Sequence, residues 1–246
     1  MNKPLFSIIT VTFNAENTVE RTLISVKQQS FRNIEYIVID GASKDRTLSI
    51  LQAYQSDIDQ LISEPDSGLY DAMNKALNIA RGEYICFLNA GDKFHQEHTL
   101  AQIVSQLDNL NFSPDVVYGE TALVDNNGVF LRMRRLSAPK SLTWKSFKQG
   151  MLVCHQAFFA KRELVSTYDL QYKFSSDFDW CIKILKKANS TYHTQLTLID
   201  YLHEGLTTAN HKKSLMERFK IMSKHYGIIS TIFYHVGFII RSIFKK

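Results

Sequence analysis

Asp92 closes the segment Cys86-Phe87-Leu88-Asn89-Ala90-Gly91-Asp92, where an apolar run from Tyr84 to Leu88 breaks into Asn, Gly and Asp. Such a run reads as a buried strand that delivers a carboxylate to its C-terminal edge, where open α/β sheets bind ligands. A lone carboxylate there is an oxygen ligand for a hard cation such as Mg²⁺ or Mn²⁺. Two earlier apolar runs, Phe6 to Thr12 and Ile34 to Asp40, also end in polar residues suited to a nucleotide. Asp40 is placed to accept a hydrogen bond from a uracil N–H or a ribose hydroxyl.

A second carboxylate comes from far along the chain. Ser175-Ser176-Asp177-Phe178-Asp179-Trp180 opens a late helix. Residues two apart do not share a helix face. Ser176 and Asp179 have the spacing of a capping box, which assigns Asp179 to structure and leaves Asp177 as the candidate base for a hydroxyl proton. Both acids also suit a helix N-terminus electrostatically. The stretch Ser63-Glu64-Pro65-Asp66-Ser67-Gly68-Leu69-Tyr70-Asp71 precedes another helix, whose free N–H groups suit a diphosphate, with Lys75 one turn in. Asp66, Ser67 and Gly68 are equally ordinary choices for a helix-initiating turn.

Other residues keep two readings. Phe13 and Asn14 read as base or ribose contacts, or else Phe13 is core and Asn17 caps the next helix. Asp45 reads as an N-cap. Cys154 and His155 point to opposite faces if the segment is extended, which disfavours a Cys/His nucleophilic pair. His155 then remains a contact for acceptor or phosphate. His203 reads as a metal or diphosphate ligand, or as an ordinary surface or core residue.

The elements that position these groups alternate. Strands are expected at Ser7 to Val11, Glu35 to Asp40, Leu61 to Ile62 and Tyr84 to Leu88, and helices at Thr18 to Gln29, Asp45 to Tyr54 and Leu69 to Ala80, the last closed by Arg81-Gly82 as a C-cap. Near-continuous apolar strands separated by helices imply a parallel sheet covered on both faces. The second half is more mixed: a helix at Thr99 to Leu110, strands at Val116 to Tyr118, Val129 to Arg135, Ala157 to Ala160 and Leu196 to Tyr201, and a helix at Ser176 to Ala188. No glycine occurs between Thr12 and Asn17, so a Rossmann dinucleotide turn and a P-loop are both disfavoured.

Composition narrows the class. The three cysteines, Cys86, Cys154 and Cys181, form no CxxC pair, which disfavours zinc fingers and a disulfide framework and fits a reducing cytosol. No signal-peptide pattern precedes the first strand. The net charge of +5 is uneven: residues 211–246 hold eight Lys/Arg and one acid, so the rest of the chain is slightly acidic. That disfavours a nucleic-acid-binding core. The expected organisation is one domain over residues 1–208 and a basic, apolar, helical extension over 209–246. Its run from Ile228 to Ile240 is too short for a span of ~20 apolar residues. It suits a helix lying on a membrane surface or a terminal helix buried on the domain.

Taken in order, the segments resemble family 2 glycosyltransferases of the GT-A fold, and more closely those that assemble bacterial surface polysaccharides such as O-antigen, capsule and exopolysaccharide. The resemblance covers about residues 5–205. It rests on Ser7 to Asn14, Asp40 to Thr47, Glu64 to Lys75, Phe87 to Asp92 and Ser176 to Trp180. It implies a Rossmann-like, mostly parallel central sheet with helices on both faces. It also implies inverting transfer of a hexose-type sugar from a nucleoside-diphosphate sugar, usually a UDP sugar, to a hydroxyl of a lipid-linked or cell-envelope glycan. Thr12, Phe13, Asn14 and Asp40 would line the nucleotide pocket. Asp66, Gly68, Tyr70, Asp71, Asn74 and Lys75 would lie along the ribose and diphosphate, with Asn89 beside them. Asp92 matches the last acid of the family's metal motif, for Mg or Mn, and Asp177 its proposed base. Asn89 and Gly91 stand where relatives often carry acids, and Gly41 where many carry a second Asp. The expected location is the inner face of the cytoplasmic membrane. The competing reading is an inactive nucleotide-sugar-binding module in polysaccharide assembly.

Overall fold

The computed structural model describes residues 3–203 and 211–243. The first half alternates as expected: β1 (Phe6–Thr12), α1 (Val19–Lys27), β2 (Ile34–Asp40), α2 (Thr47–Ala53), β3 (Gln60–Ser63), α3 (Leu69–Ile79) and β4 (Tyr84–Phe87). Next come the two-residue strand β5 (Lys93–Phe94), which no sequence pattern announces, α4 (Thr99–Asp108), β6 (Val116–Val124) and β7 (Phe130–Met133). Then follow β8 (Phe158–Lys161), α5 (Ser176–Lys187), β9 (Thr191–Leu202), α6 (His211–Tyr226) and α7 (Ile228–Ile243).

The strands form a single sheet in the order β3-β2-β1-β4-β8-β6-β9-β5, with β7 paired to β6. β3, β2, β1 and β4 run parallel, as do β6 and β9, while β8 is antiparallel to both β4 and β6. Every residue of β1 is buried, as a central strand covered on both faces requires. Alternate residues enter opposite cores. Ile9, Val11, Ile37, Ile39 and Phe87 meet α3, α5 and α6 on one face. Ile8, Tyr36, Val38 and Cys86 meet α1 and α4 on the other.

Local details depart from expectation where tertiary partners compete. Asp45 does serve the start of α2, its Oδ1 accepting the Thr47 N–H at 3.0 Å. The capping box of Ser176 and Asp179 does not form: the Ser176 hydroxyl donates to the Asp169 carbonyl instead. Asp179 is fully buried, with His225 Nε2 at 2.7 Å and Lys183 Nζ at 2.5 Å. It is structural, yet instead of capping its own helix it pairs with Lys183 a turn on and ties α5 to α6 through His225. Arg81-Gly82 is not a left-handed cap either. The Gly82 N–H turns to Ser7 Oγ and Glu35 Oε1, both at 2.8 Å.

The boundary drawn at 208/209 lies outside the described residues. Beyond it, α6 seats on the domain. Ile221 and Met222 are buried in the α3/α5 core, Glu217 accepts the N–H groups of Lys173 and Phe174, each at 2.8 Å, and the Tyr226 hydroxyl donates to the Trp144 carbonyl at 2.6 Å.

Burial alone would raise the Asp179 carboxyl; the His225 ring and the Lys183 ammonium outweigh it and hold its pKa below the ordinary value. The stability it contributes is therefore present above the ordinary carboxyl range and lost as pH falls through the lowered folded-state value. Asp179→Ala strands the buried ring of His225 and a partly exposed Lys183, and should cost about 3 kcal/mol in urea unfolding at neutral pH. Glu16→Ala, which removes the exposed partner of Arg46, should cost under about 1 kcal/mol.

Candidate active site

Parallel strands in register stop at one level. Thr12 lies opposite Asp40, and Asp40 opposite Ser63, so three strand ends make one rim. Beside it opens a cavity of about 1020 Å³. It is lined by Thr12, Phe13, Asp66, Gly68 and Tyr70, by Asn89 and Asp92, and by Asp177, His155 and a group of arginines. The carboxylates of Asp92 and Asp177 thus share one space, as the sequence argument requires.

Five other expected residues do not reach the cavity wall; they hold what does. Asp40 is fully buried. Its Oδ1 accepts the Ser43 hydroxyl, and its Oδ2 accepts the Ser43 N–H at 3.1 Å and the Ser63 hydroxyl at 2.6 Å. Asn14, with φ +48°, accepts the Lys44 N–H at 2.8 Å and ties the first loop to the second. Asp71 accepts the Ser67 N–H at 2.9 Å. Asn74 brackets the Tyr168 backbone, donating to its carbonyl at 3.0 Å and accepting its N–H at 2.7 Å. Lys75 pairs with Glu64 at 2.8 Å and donates to the Pro65 carbonyl at 2.7 Å.

Asp177 sits in the first turn of α5. The Tyr70 hydroxyl donates to its Oδ1 at 3.0 Å, and His155 Nδ1 lies 3.6 Å from its Oδ2. The Tyr70 ring is itself stacked on Tyr168, and Tyr168 on Trp180, so the donor that orients Asp177 belongs to a rigid aromatic column. Burial pushes the His155 pKa below its ordinary value, against the pull of Asp177, so the ring is neutral. The segment Cys154-His155-Gln156 is not extended: His155–Ala157 form a 3₁₀ turn. A Cys/His dyad is still absent, because Cys154 Sγ donates to Gln156 Oε1 at 2.7 Å and burial raises its thiol to about 11.

Gln156 is the residue that sequence reasoning missed beside Asp92. Its Nε2 donates to Asp92 Oδ2 at 2.8 Å, and the Leu202 N–H donates to Oδ1 at 2.9 Å. Arg132, Arg134, Arg135 and Arg218 were also missed; their sequence signal was only that of a solvated strand and a basic tail. Buried polar atoms nearly always find partners. Yet Thr12 Oγ1, Asn89 Oδ1, His155 Nε2 and Arg218 Nε, all from residues of this cavity wall, have none among the described residues.

Burial raises the Asp92 carboxyl to about 7, against its two donors and the charge of Arg21. Between about pH 4 and 7 the folded state then binds more protons than the unfolded chain, so stability falls as pH rises through that window. Asp92→Asn should remove about 2–3 kcal/mol of the pH dependence between pH 5 and pH 8, read from urea unfolding at each pH.

Known proteins are similar to this chain in sequence and in fold. A PGL/p-HBAD biosynthesis glycosyltransferase of Mycobacterium bovis is 30% identical over 236 residues, covering 93% of this chain and 88% of that protein. The putative teichuronic acid biosynthesis glycosyltransferase TuaG of Bacillus subtilis is 30% identical over 204 residues, 81% of this chain and 79% of TuaG. The fold matches S. aureus TarS 1-349 in complex with UDP-GlcNAc, with a TM-score of 0.70 at 20% identity, over 88% of this chain and 64% of that one. It also matches the mannosyltransferase PcManGT from Pyrobaculum calidifontis in complex with GDP-Man and Mn²⁺, with a TM-score of 0.63 at 16% identity, over 96% of this chain and 75% of that one. The fold is thus the GT-A-like α/β fold expected from sequence. Residues 7–168 match the family described as Glycosyl transferase family 2, and the chain belongs to that family.

Proposed function

We propose that this protein transfers a hexose-type sugar, with inversion, from a UDP sugar to a hydroxyl of a lipid-linked or cell-envelope glycan. One observation carries the reading: Asp177, oriented by Tyr70, faces the same cavity as Asp92 and the nucleotide-side residues Thr12, Phe13 and Asp66. Asp177 Oδ2 takes the proton of the acceptor hydroxyl. The hydroxyl oxygen bonds to the anomeric carbon as the bond from that carbon to the diphosphate oxygen breaks, and the nucleoside diphosphate leaves with the electron pair. UDP-GlcNAc in TarS and GDP-Man in PcManGT support the donor class. The relatives named for PGL/p-HBAD and teichuronic acid biosynthesis support a cell-envelope acceptor.

A divalent cation fits the middle of the cavity if it arrives with the donor. Asp92 and the unpartnered Asn89 Oδ1 supply oxygen, while no group of three or more His, Cys, Asp or Glu residues suited to a metal exists among the described residues. Asp92 and Asn89 would hold Mg²⁺ or Mn²⁺, with donor phosphates and water completing the shell. When bound, the cation offsets charge on the departing diphosphate.

The α7 helix supports a peripheral membrane site. Ile228, Ile229, Ile232, Phe233 and Val236 are exposed, and their spacing draws one apolar stripe. No helix among the described residues is long and apolar enough to cross a membrane. The stripe suits the acyl boundary of a cytoplasmic leaflet.

A donor panel assayed with Mn²⁺ for nucleotide release tests the transfer. Asp177→Asn should lower kcat about a hundred- to ten-thousandfold with little change in donor KM. Equal nucleotide release by variant and parent would remove Asp177 from catalysis. Because α6 carries buried core residues, truncation is a poor test of the membrane site. Ile229→Asp with Phe233→Asp should instead abolish co-sedimentation with anionic vesicles while leaving the melting temperature near that of the parent.

A further inference from the structure

The wall of the cavity around Asp177 is cationic. Arg132, Arg134, Arg135 and Arg218 line the cavity, against the carboxylates Asp66, Asp92 and Asp177. The four are not equivalent. Arg134 spends its donors on the carbonyls of Leu136, Leu152 and Met151, at 3.2, 3.2 and 2.5 Å; it braces a loop and contributes charge. Arg135 is exposed and, among the described residues, has no ion pair or hydrogen bond. Arg218 reaches in from α6, its guanidinium 5.9 Å from the Phe178 ring centroid, and its Nε is buried without a partner.

The neighbours of Arg218 are those of the candidate base. Phe178 follows Asp177 directly. Arg218 is also close enough to Tyr70 to oppose the rise in that phenol's pKa that burial and Asp177 produce. Tyr70 is the group that donates to Asp177. A base touches the acceptor, so the groups flanking it belong to the acceptor's side. Thr12, Phe13, Gly41 and Asp66 gather instead where β1 to β3 end. His155 adds a second unpartnered nitrogen to the same wall, Nε2, on a residue 6% exposed.

We infer that this wall is an acceptor subsite for an anionic group, a phosphate or a carboxylate, and that α6 completes it with Arg218. The inference rests on the transfer reading above and adds the chemical class of the acceptor. Guanidinium groups recognise both oxyanions with paired, charge-assisted hydrogen bonds. Arg218 and Arg135 supply the free donors, Arg134 the supporting charge and His155 a neutral contact. Arg218 lies beyond residues 7–168, so α6 adds one of the free donors from outside the segment that matches the family, while Arg134, Arg135 and His155 come from within it.

The test measures binding to protein saturated with UDP and Mn²⁺, so that the donor end is filled. Three probes differ in one group: 4-nitrophenyl glucoside, its 6-phosphate, and 4-nitrophenyl glucuronide. At least one anionic probe should bind about tenfold or more tighter than the neutral glucoside, the size expected for one charge-assisted bond. A preference for the 6-phosphate assigns a phosphate acceptor; a preference for the glucuronide assigns a uronate. Arg218→Gln and, independently, the exposed Arg135→Gln should each erase most of that advantage while UDP affinity and melting temperature stay near the parent values. Arg218→Lys should retain part of it. Equal binding of all three probes, or an advantage that survives both glutamine variants, overturns the inference. So does a matched loss of UDP affinity in Arg218→Gln, which would place that guanidinium on the donor diphosphate. Failure of the parent to bind UDP at all would instead remove the transfer reading itself.

Discussion

A carboxylate withdrawn from water must be met by donors or surrender its charge, and Asp92 meets that demand through distant parts of the chain. Gln156 comes from the 3₁₀ turn before β8, and the Leu202 N–H from the end of β9. The turn that carries Asp92 is held from the other side by α1: Arg21 Nε donates to the Gly91 carbonyl at 2.5 Å, and the Thr22 hydroxyl to the Asp92 carbonyl at 2.7 Å. The end of β4 is thus tied to the parallel half of the sheet, to the mixed half and to a covering helix. The cavity exists where these ties converge. The elevated Asp92 pKa is the cost of placing an acid at that junction.

Two positions where acids are missing differ in what holds them. Gly91 has φ +99°, a backbone region that side chains rarely adopt, so its backbone favours glycine. At Gly41 an added Cβ would lie 2.5 Å from Asp66 Oδ2, the far end of a side chain that can shift. Without acids there, Asp92 is the main charged oxygen ligand that the β4 end offers a cation.

The C-terminal segment divides by the company it keeps. One face of α6 is sealed by Ile221, Met222 and the Asp179–His225 contact, and from that seat it extends Arg218 toward Asp177. Further on, α7 leaves its apolar stripe outside. The sequence left the run from Ile228 to Ile240 open between a membrane surface and burial on the domain; α7 packs Tyr234 and Phe238 against the core and leaves Ile229 and Phe233 exposed.

Much of the fold was legible because burial writes itself locally. Apolar runs marked β1, β2 and β4, and the spacing of Val19, Leu23 and Val26 marked the buried face of α1. Asp177 and Asp179 were separable because residues two apart on a helix diverge. The turn at His155–Ala157 was not legible, since Cys-His-Gln carries no turn signal; nor was the loss of the Ser176 capping box, since His225 competes for Asp179 from 46 residues away. Asp40, Asn74 and Lys75 had the right chemistry for a ligand but found protein partners first. The residue pattern alone therefore determined which strands end in carboxylates and which helix faces are apolar, because those depend on neighbours within a turn or two. Only the tertiary structure decided that Gln156 holds Asp92 and that Arg218 lines the cavity that Asp177 faces. Such contacts depend on the order of strands in the sheet and the seating of α6, which no local spacing encodes.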